Sequence, residues 1–590
     1  MSESSTMPGD TTYTTDTISY ELLFLPAGKE APCRTGMTIL DAAREAGVYI
    51  ESSCGGRGTC GKCRVQIESG RAGPLAAEEL DHLLQSEREA GYRLACRAQP
   101  ESDMVALVPA ESLVLGSAAR KGFKGQLGAA HAAVLTRRVN GRMSVVRHDG
   151  EIIDVRSAEG PLLGAALDVG TTTLALYLCD LSTGELLASA SVSNPQIVFG
   201  ADIMSRIAYS TGHPGDGVRR MQGRLVQSVN SMIEHLTAGL NQTPSDIVDM
   251  SAVGNTVMHH ILLGIAPDGL GLFPFAPLKV SSSDVPARDL GLIIHPKAFV
   301  HVLPVEAGFV GADNVAVLIS EEPYRHRIVS LTIDIGTNGE LVIGNRDRLL
   351  CCSCATGPAL EGAQISAGMR ALPGAIDTIR IEPGDGEIRY TVIGSGKGRA
   401  PRVKPDGICG SGIIDAVAEL LHAGIIGSDG AFKRGLVSNR LRPCPGGGKE
   451  FVIVRGRDTA HGGDIVITQR DIRQIQLAKA ALSTGAELLM REFGVESVER
   501  LVIAGAFGTH LNIDNAMAIG LLPDMPRDRI AVVGNAAGRG ACLALVNVEK
   551  RAEADRVARW VEHVELARLP DFQKAFIAAT RFGRTTETDQ

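Results

Sequence analysis

Four cysteines near the start of the chain have a spacing that suits metal binding. Cys54, Cys60 and Cys63 lie within one short run, Cys-Gly-Gly-Arg-Gly-Thr-Cys-Gly-Lys-Cys, and Cys96 follows further on. Thiolates are the usual ligands of iron–sulfur clusters, which need a loop that folds tightly around the inorganic core. The glycines within the run let the backbone turn closely and direct N–H groups at sulfur. The spacing therefore predicts a two-iron, two-sulfur cluster on these four side chains.

A structural zinc site is the alternative for the same residues. Zinc sites typically use two separate pairs of cysteine or histidine ligands, whereas this run has one Cys-x-x-Cys pair, Cys60 and Cys63, and no interleaved histidine. The spacing between Cys54 and Cys60 is one residue longer than in plant-type ferredoxins. It is similar to that of adrenodoxin-like ferredoxins, which favours the iron–sulfur interpretation.

The elements that would position this loop follow the order strand, helix, loop, strand. Residues 18–24 partly alternate between polar and apolar side chains, which predicts a strand, and residues 64–68 form a second one. Residues 38–47 predict a short helix with Thr38 as its cap. This order resembles a ferredoxin of the β-grasp kind, covering residues 17–112.

Length and charge limit the class of protein. A chain of 590 residues exceeds the size of a single core and predicts several domains. The net charge of -8 argues against nucleic acid as a partner. No apolar run is long enough for a membrane span, and no export signal is seen at the start. The 12 cysteines are therefore expected to be reduced thiols and metal ligands, in a cytoplasmic protein.

A short motif occurs twice in the rest of the chain. The first copy covers residues 167–178 and the second covers residues 333–343. Each copy predicts an apolar strand that ends in Asp-x-Gly-Thr, a tight turn, and a second strand antiparallel to the first. A repeated unit of this kind indicates a duplication. We expect two related lobes that face each other across a cleft.

An Asp-x-Gly-Thr hairpin is suited to holding a polyphosphate. Glycine leaves room for a phosphate oxygen, and the N–H and hydroxyl groups that follow can donate hydrogen bonds to it. Asp168 and Asp334 are candidates for holding Mg²⁺, directly or through water. The candidate phosphate-binding residues are Gly170, Thr171, Thr172, Thr173, Gly336, Thr337 and Asn338.

Two glycine turns add to this pattern. Gly505 and Gly508 follow an apolar strand and precede a helix that begins near Asn512, which is where a nucleoside could lie on bare backbone. Gly410 and Gly412 open a second helix, and a helix N-terminus favours anionic groups. A tight connection without a ligand is the alternative for both turns. There is no Walker A run, so a P-loop fold is not supported.

Taken together, these motifs resemble the superfamily of acetate and sugar kinases, Hsp70 and actin. The ferredoxin ahead of them makes the chain resemble, more specifically, the reductive activators of corrinoid-dependent methyltransferases that carry an N-terminal two-iron cluster. Further segments that carry this resemblance are residues 200–206, 253–256, 304–313, 357–362, 407–412 and 476–480. The segment 113–160 departs from it, because it is short beside the middle domain expected of that branch.

The predicted fold is α+β with several domains. It comprises a β-grasp 2Fe-2S ferredoxin and a two-lobed α/β ATPase of the actin, Hsp70 and sugar kinase type, with duplicated RNase H-like lobes. The predicted boundaries are a disordered tail at 1–16, the ferredoxin at 17–112, a linker with a small β element at 113–160, and the ATPase at 161–590, with lobes at about 161–325 and 326–590.

The resemblance implies a reductive function. It implies that ATP drives the transfer of one electron from the cluster to Co(II) in a corrinoid protein, which regenerates Co(I) for methyl transfer. The implied cofactors are a 2Fe-2S cluster and ATP with Mg²⁺. The implied partners are a corrinoid protein, an upstream electron donor and, through the ATPase part, a second copy of the chain.

Several residues and functions remain as alternatives. Asp202 and Glu340 are weaker candidates for orienting an attacking water, with a structural role as the alternative, and Asp313 is interpreted as a helix cap. A ferredoxin-fused small-molecule kinase under redox control would use the same ATPase fold. A nucleotide-gated scaffold would bind ATP without hydrolysing it. Activators of radical-type dehydratases also join this fold to an Fe–S centre, but they place the cluster between subunits.

Overall fold

The computed structural model describes two compact units, with the boundary after Gly116. The described residues are 19–583 except 26–27, 47, 49, 51–55, 57, 59–60, 62, 84, 110–111, 113–126, 129, 140–141, 148–149, 157–160, 363, 383–386, 396–402, 437, 446 and 506. The predicted tail at 1–16 lies outside them. None of the described helices is long and apolar enough to cross a membrane.

The N-terminal unit is built on a five-stranded sheet. Its strands are β1 (Ser19–Leu25), β2 (Lys29–Arg34), β3 (Arg64–Ser69), β4 (Tyr92–Leu94) and β5 (Met104–Leu107). Their order across the sheet is β2-β1-β5-β3-β4. β1 runs parallel to β5, and the other neighbours are antiparallel. This mixed sheet is the predicted β-grasp arrangement.

Three short helices accompany this sheet. They are α1 (Ile39–Glu45), α2 (Ala77–His82) and α3 (Gln85–Glu89). Thr38 caps α1 as the sequence predicted, because its hydroxyl accepts a hydrogen bond from the N–H of Asp41 at 3.2 Å. Leu40 on α1 packs with Leu22 and Phe24 of β1 in the core of the unit. The helix is thereby fixed on the sheet directly before the cysteine loop.

The segment between the two predicted domains contains a small sheet. Its strands, in the order β6-β7-β8, are β6 (Val134–Val139), β7 (Arg142–Arg147) and β8 (Ile152–Arg156). The antiparallel strands β7 and β8 belong to the small β element predicted for this segment. Val134, Val145 and Ile153 are buried in the same core as the first lobe of the larger unit. These strands therefore pack as part of that unit.

The first lobe has a six-stranded sheet. Its strands are β9 (Leu163–Val169), β10 (Thr173–Asp180), β11 (Glu185–Ser193), β12 (Ile247–Gly254), β13 (Ser283–Pro286) and β14 (Phe299–Val302). The order is β11-β10-β9-β12-β14-β13. β9, β10 and β11 form an antiparallel meander, and β12 runs parallel to β9 on the other side.

The second lobe repeats this topology and adds two small sheets. Its strands are β15 (Ser330–Ile335), β16 (Gly339–Gly344), β17 (Leu349–Cys354), β18 (Ala375–Ile381), β19 (Ile388–Val392), β20 (Gly407–Ile408), β21 (Leu441–Pro443), β22 (Lys449–Val454), β23 (Ile465–Thr468), β24 (Arg500–Ala504), β25 (Ile530–Gly534) and β26 (Glu562–His563). The main sheet has the order β25-β24-β15-β16-β17-β26. The small sheets are β19-β18-β20 and β21-β22-β23.

The two main sheets place their aspartates at equivalent corners. Asp168 is the penultimate residue of β9 and lies beside Val253 of the parallel strand β12. Asp334 is the penultimate residue of β15 and lies beside Ala504 of the parallel strand β24. The duplicated, RNase H-like lobes predicted from the repeated motif are therefore present.

Ten helices among the described residues of the larger unit cover these sheets. In the first half they are α4 (Ile203–Gly212), α5 (Gly217–Gly239), α6 (Thr256–Leu262) and α7 (Ala312–Glu321), and in the second half α8 (Gly410–His422), α9 (Gln469–Phe493), α10 (Ile513–Ala518), α11 (Ala536–Val546), α12 (Val548–Trp560) and α13 (Phe572–Ala579). α11 packs against α7 and against β9 and β12 of the first lobe. The second half of the sequence thus supplies part of the first lobe's packing.

Candidate functional site

The described part of the cysteine loop lies against the core of the N-terminal unit. Cys63 and Cys96 are both buried, and the N–H of Ala95 donates to the carbonyl of Cys63 at 2.7 Å. A Cβ built on Gly56 would lie 4.0 Å from the Cβ of Cys96. The run that carries the first three predicted ligands therefore passes close to the fourth. Cys54 and Cys60 lie outside the described residues.

The loop also has the backbone that a cluster requires. Gly56 and Gly58 have φ angles of +87° and +79°, which side chains other than glycine rarely adopt. A Cβ on Gly58 would come within 2.6 Å of the Arg97 Nε. The chain is thus wound tightly next to Cys96, and the residues present fit a 2Fe-2S cluster.

The two Asp-x-Gly-Thr hairpins meet in the larger unit. The hydroxyls of Thr172 and Thr337 are 2.5 Å apart, and the Thr337 hydroxyl also donates to Glu361 at 2.9 Å. The hairpins come from opposite lobes, and each begins at one of the two aspartates. The duplicated topology thereby brings both candidate phosphate loops to one place.

Asparagine side chains hold the first hairpin from behind. Asn194 donates to the carbonyl of Gly170 at 2.8 Å, and Asn255 donates to the hydroxyl of Thr171 at 2.8 Å. Asn255 also caps α6, so the hairpin is tied to the start of that helix. Thr173 is exposed at the first position of β10.

The second hairpin is held by one threonine. The hydroxyl of Thr356 lies within 2.8 Å of the Gly336 carbonyl and 2.9 Å of the Thr337 carbonyl. Asn338 follows in the turn and is partly exposed. Both hairpins are thus fixed through carbonyl groups of their turns.

The two aspartates are recessed but keep some exposure. Asn535 donates to Asp168 at 2.9 Å. Burial raises the pKa of Asp168 to about 6, although this hydrogen bond opposes the shift. Burial, together with the negative charges of Asp313 and Asp168, raises the pKa of Asp334 to about 7. Such carboxylates favour binding a cation.

Asp313 is a member of this group that the sequence interpretation missed. The sequence suggests that Asp313 caps a helix. In the structure Gly311 occupies the cap position, and Asp313 lies within the first turn of α7. Burial and the charge of Asp168 raise the pKa of Asp313 to about 7. The signal that could have found it is the acidic residue at the end of the segment 304–313.

Glu340 and Asp202 have different surroundings. Glu340 is 8% exposed and lies opposite Asp334 across the second hairpin. Its pKa is raised by burial and by the charges of Asp313 and Asp334. Asp202 is exposed and caps α4, where its carboxylate accepts from the N–H of Ser205 at 2.8 Å. The structure therefore places Glu340 beside the candidate metal ligands and gives Asp202 a structural role.

The glycine turn at 505–508 lies against the second hairpin. A Cβ on Gly505 would be 2.5 Å from the Ile335 carbonyl and 2.7 Å from the Asp334 carboxylate. Gly508 lies within a short 3-10 turn, and Asn512 caps the helix α10 as predicted. This turn can exist only without a side chain at Gly505, so bare backbone borders the aspartate.

The second glycine turn opens α8. Gly410 is the first residue of the helix, and a Cβ there would lie 1.9 Å from the Leu360 carbonyl and 2.5 Å from the Phe507 ring. A Cβ on Gly412 would lie 2.4 Å from the Ile376 carbonyl. The turn at Gly410 therefore packs directly against the turn at 505–508.

The two motif aspartates suit a magnesium site that waters and phosphates complete. Among the described residues, no three His, Cys, Asp or Glu side chains form a ready-made metal site. Mg²⁺ usually takes one or two carboxylates and completes its shell with waters and substrate phosphates. Asp168 and Asp334 suit that kind of site. Cys351, Cys352 and Cys354 are buried in the core of the second lobe's sheet.

Comparison with known protein families matches three parts of the chain. Residues 24–101 match the 2Fe-2S iron-sulfur cluster binding domain. Residues 163–325 match the RACo middle region, and residues 328–589 match the C-terminal ASKHA domain of RACo. The middle region of the family is thus the first lobe, and the segment 113–160 precedes it.

Two relatives are similar over most of their length. The corrinoid activation enzyme RamQ of Eubacterium limosum is 37% identical over 453 residues, which are 75% of this chain and 74% of that protein. A [Co(II) methylated amine-specific corrinoid protein] reductase of Methanosarcina barkeri is 23% identical over 63% of this chain and 68% of that protein.

A solved structure shares the whole architecture. The reductive activator for corrinoid, iron-sulfur protein superposes with a TM-score of 0.72 at 30% identity, covering 96% of this chain and 99% of that one. The fold and site define a 2Fe-2S domain joined to an ASKHA domain. The chain belongs to the RACo family of reductive activators of corrinoid proteins.

Proposed function

We propose that this chain reductively activates a corrinoid protein at the expense of ATP. One electron leaves a reduced 2Fe-2S cluster held by Cys54, Cys60, Cys63 and Cys96 and reduces Co(II) of the partner to Co(I). The cluster loses this electron and returns to its oxidised state, and the cobalt gains it. We place this reaction in the cytoplasm, where low-potential electrons are supplied.

One observation carries the ATP part of the proposal. The hairpins of opposite lobes meet at Thr172 and Thr337, with Asp168 and Asp334 behind them. A polyphosphate that binds there contacts both lobes at once. Its binding and release therefore change the spacing of the lobes, which is the kind of motion by which nucleotides drive other proteins.

Residues of different chemical type have different roles toward the nucleotide. Thr171, Thr172 and Asn338 donate hydrogen bonds to phosphate oxygens. Asp168 and Asp334 hold Mg²⁺, which neutralises phosphate charge when bound. Glu340 and Asp313 lie near these aspartates and orient the attacking water. Gly505, Gly508, Gly410 and Gly412 form the bare surface for the nucleoside.

Coupling to ATP is needed because the electron transfer is uphill. Each 59 mV of unfavourable potential lowers the yield of a one-electron step about tenfold. A gap of a few such steps would leave almost no Co(I). ATP binding and hydrolysis supply the missing free energy, and the lobe movement of a homodimeric ATPase transmits it to the docked corrinoid protein.

The test is anaerobic and spectroscopic. The dithionite-free, reduced protein is mixed with a Co(II) corrinoid protein, and the cobalt absorption is followed with Mg-ATP, with a non-hydrolysable analogue and with no nucleotide. We expect Co(I) to accumulate with Mg-ATP. Equal amounts of Co(I) with and without nucleotide would remove ATP from the mechanism.

A further inference from the structure

A fully buried guanidinium lies directly behind the first hairpin. Arg206 on α4 is 0% exposed. Its Nη2 donates to the Thr171 carbonyl at 2.6 Å, and its Nε donates to the Gly200 carbonyl at 3.1 Å. Its Nη1 contacts Gln196 Oε1 at 3.3 Å and Met258 Sδ at 3.1 Å. All four acceptors are electrically neutral.

The positive charge of Arg206 has no carboxylate in contact with it. No Asp or Glu among the described residues forms an ion pair with Arg206. The nearest acidic influence is Asp202, whose carboxylate is occupied in capping α4. Burial lowers the pKa of Arg206 to about 9, so the side chain remains a cation at neutral pH. A buried, unneutralised cation is costly unless an anion compensates it.

The backbone groups of the first hairpin, next to Arg206, indicate which kind of anion would compensate its charge. Asn194 engages the Gly170 carbonyl through its side chain and the Thr172 carbonyl through its N–H. With Arg206 on the Thr171 carbonyl, three successive carbonyls of the hairpin are held from behind. The N–H groups of Thr171 and Thr172 donate to no other described residue. Backbone N–H groups arranged in this way form a binding site for an anion.

The second hairpin shows that the charge is not needed for holding carbonyls. There the neutral hydroxyl of Thr356 engages the carbonyls of both Gly336 and Thr337. The two hairpins have the same topology, yet only the first is backed by a cation among the residues described. The difference between them is therefore electrostatic.

We propose that Arg206 is a positioning residue that sets the Thr171–Thr172 turn toward the nucleotide and whose buried charge is neutralised by the bound polyphosphate. The inference rests on the proposed function, since it requires a nucleotide at the hairpins. It predicts that Arg206 contributes more to affinity as the number of phosphates on the ligand increases, because the interaction is between charges.

The experiment compares adenosine, ADP and ATP on the full chain by calorimetry in the presence of Mg²⁺. Arg206→Met removes the charge, Arg206→Lys keeps it without the planar fork, and Arg219→Met is the matched control, since Arg219 is exposed and lies on the same lobe. Thermal unfolding is recorded for every variant, so that only folded protein is compared.

We expect R206M to weaken ATP binding by at least about tenfold and adenosine binding by less than about twofold. R206K should recover most of the ATP affinity, and R219M should behave as the wild type. Equal losses for adenosine and ATP in R206M, or equal losses of ATP affinity in R206M and R206K, would overturn the inference and leave a packing role. If R206M fails to fold, R206K alone decides. Retained ATP affinity in R206K supports the inference, whereas a loss of ATP affinity in R206K indicates a packing role and overturns the inference. A wild-type chain that binds no ATP would overturn the proposed function itself.

Discussion

At the scale of residues, the candidate site consists of carboxylates that repel one another until a cation arrives. Asp168 and Asp334 could be recognised from the sequence because each belongs to a copy of the repeated motif. Asp313 was harder to recognise, because it has no repeated counterpart and joins the others only when α7 packs beside the sheets. The sequence also makes Asp202 a candidate, with a structural role as the alternative. It could not decide between them, because the helix-capping role of Asp202 depends on where α4 begins.

The first prediction concerns the two motif aspartates. Asp168→Asn and Asp334→Asn should each lower ATP hydrolysis by about 100-fold or more, because a neutral amide cannot hold the metal as a carboxylate does. Steady-state phosphate release measures this. Asp202→Asn is the matched control, since asparagine caps a helix as well as aspartate. A large loss of hydrolysis in D202N, or none in D334N, would contradict the assignment.

At the scale of elements, the sequence predicted the strands of both hairpins because their apolar runs and turns are local. It did not predict that α11 would pack on the first lobe, because that contact joins residues far apart in the chain. It also interpreted the segment 113–160 as a linker, whereas Val134, Val145 and Ile153 are anchored in the core of that lobe. Such packing is decided by tertiary contacts rather than by local pattern.

The second prediction concerns the glycine turn at 505–508. Gly505→Ala should weaken ATP binding by at least about tenfold, because its methyl group would press on Asp334 and on the Ile335 carbonyl. Gly494→Ala is the matched control: Gly494 has a φ of +89°, close to the +92° of Gly505, but a Cβ there meets nothing within 4 Å. Both variants carry the same backbone strain, so a difference in ATP affinity between them reports the contact. Equal affinities would show that the turn does not border the site.

The third prediction concerns α6 and the pH dependence of stability. Burial, followed by the charges of His260 and Lys279, lowers the pKa of His259 to about 3 from its usual 6.5. Between these values the unfolded chain binds a proton that the folded chain does not, so the free energy of unfolding falls as the pH decreases. The slope from this group is at most about 1.4 kcal/mol per pH unit.

His259→Leu should therefore flatten the decline in stability between pH 6.5 and 4, measured by urea unfolding at a series of pH values. His235→Leu replaces an exposed histidine on α5 and should leave the decline unchanged. An unchanged slope in H259L would mean that other buried groups govern the acid sensitivity.

At the scale of the whole molecule, the order of domains was legible from the sequence because each domain carries its own motif. The cysteine run marked the iron–sulfur domain and the repeat marked the two lobes, and the family comparisons agree on both. The family's middle region, at residues 163–325, is the first lobe of the structure.

The fourth prediction separates the two activities of the chain. Cys63→Ser in the full chain should abolish transfer of electrons to cobalt while ATP hydrolysis stays within about twofold of the wild type, because serine is a poor ligand for iron–sulfur clusters. Asp334→Asn should lose ATP hydrolysis, and with it the ATP-driven transfer of electrons to cobalt, but should keep a reducible cluster. Loss of the cluster's absorbance in D334N would show that the two units do not act independently in cofactor binding.

The central claim is that ATP drives an electron out of the cluster and onto the partner's cobalt. Stopped-flow absorbance can follow cluster oxidation and Co(I) formation together after the reduced chain, loaded with a Co(II) corrinoid protein, is mixed with Mg-ATP. We predict that both signals change with one rate constant, with one Co(I) formed for each cluster oxidised, and that neither changes without nucleotide. Co(I) that forms while the cluster stays reduced, or that forms equally fast without ATP, would contradict the account.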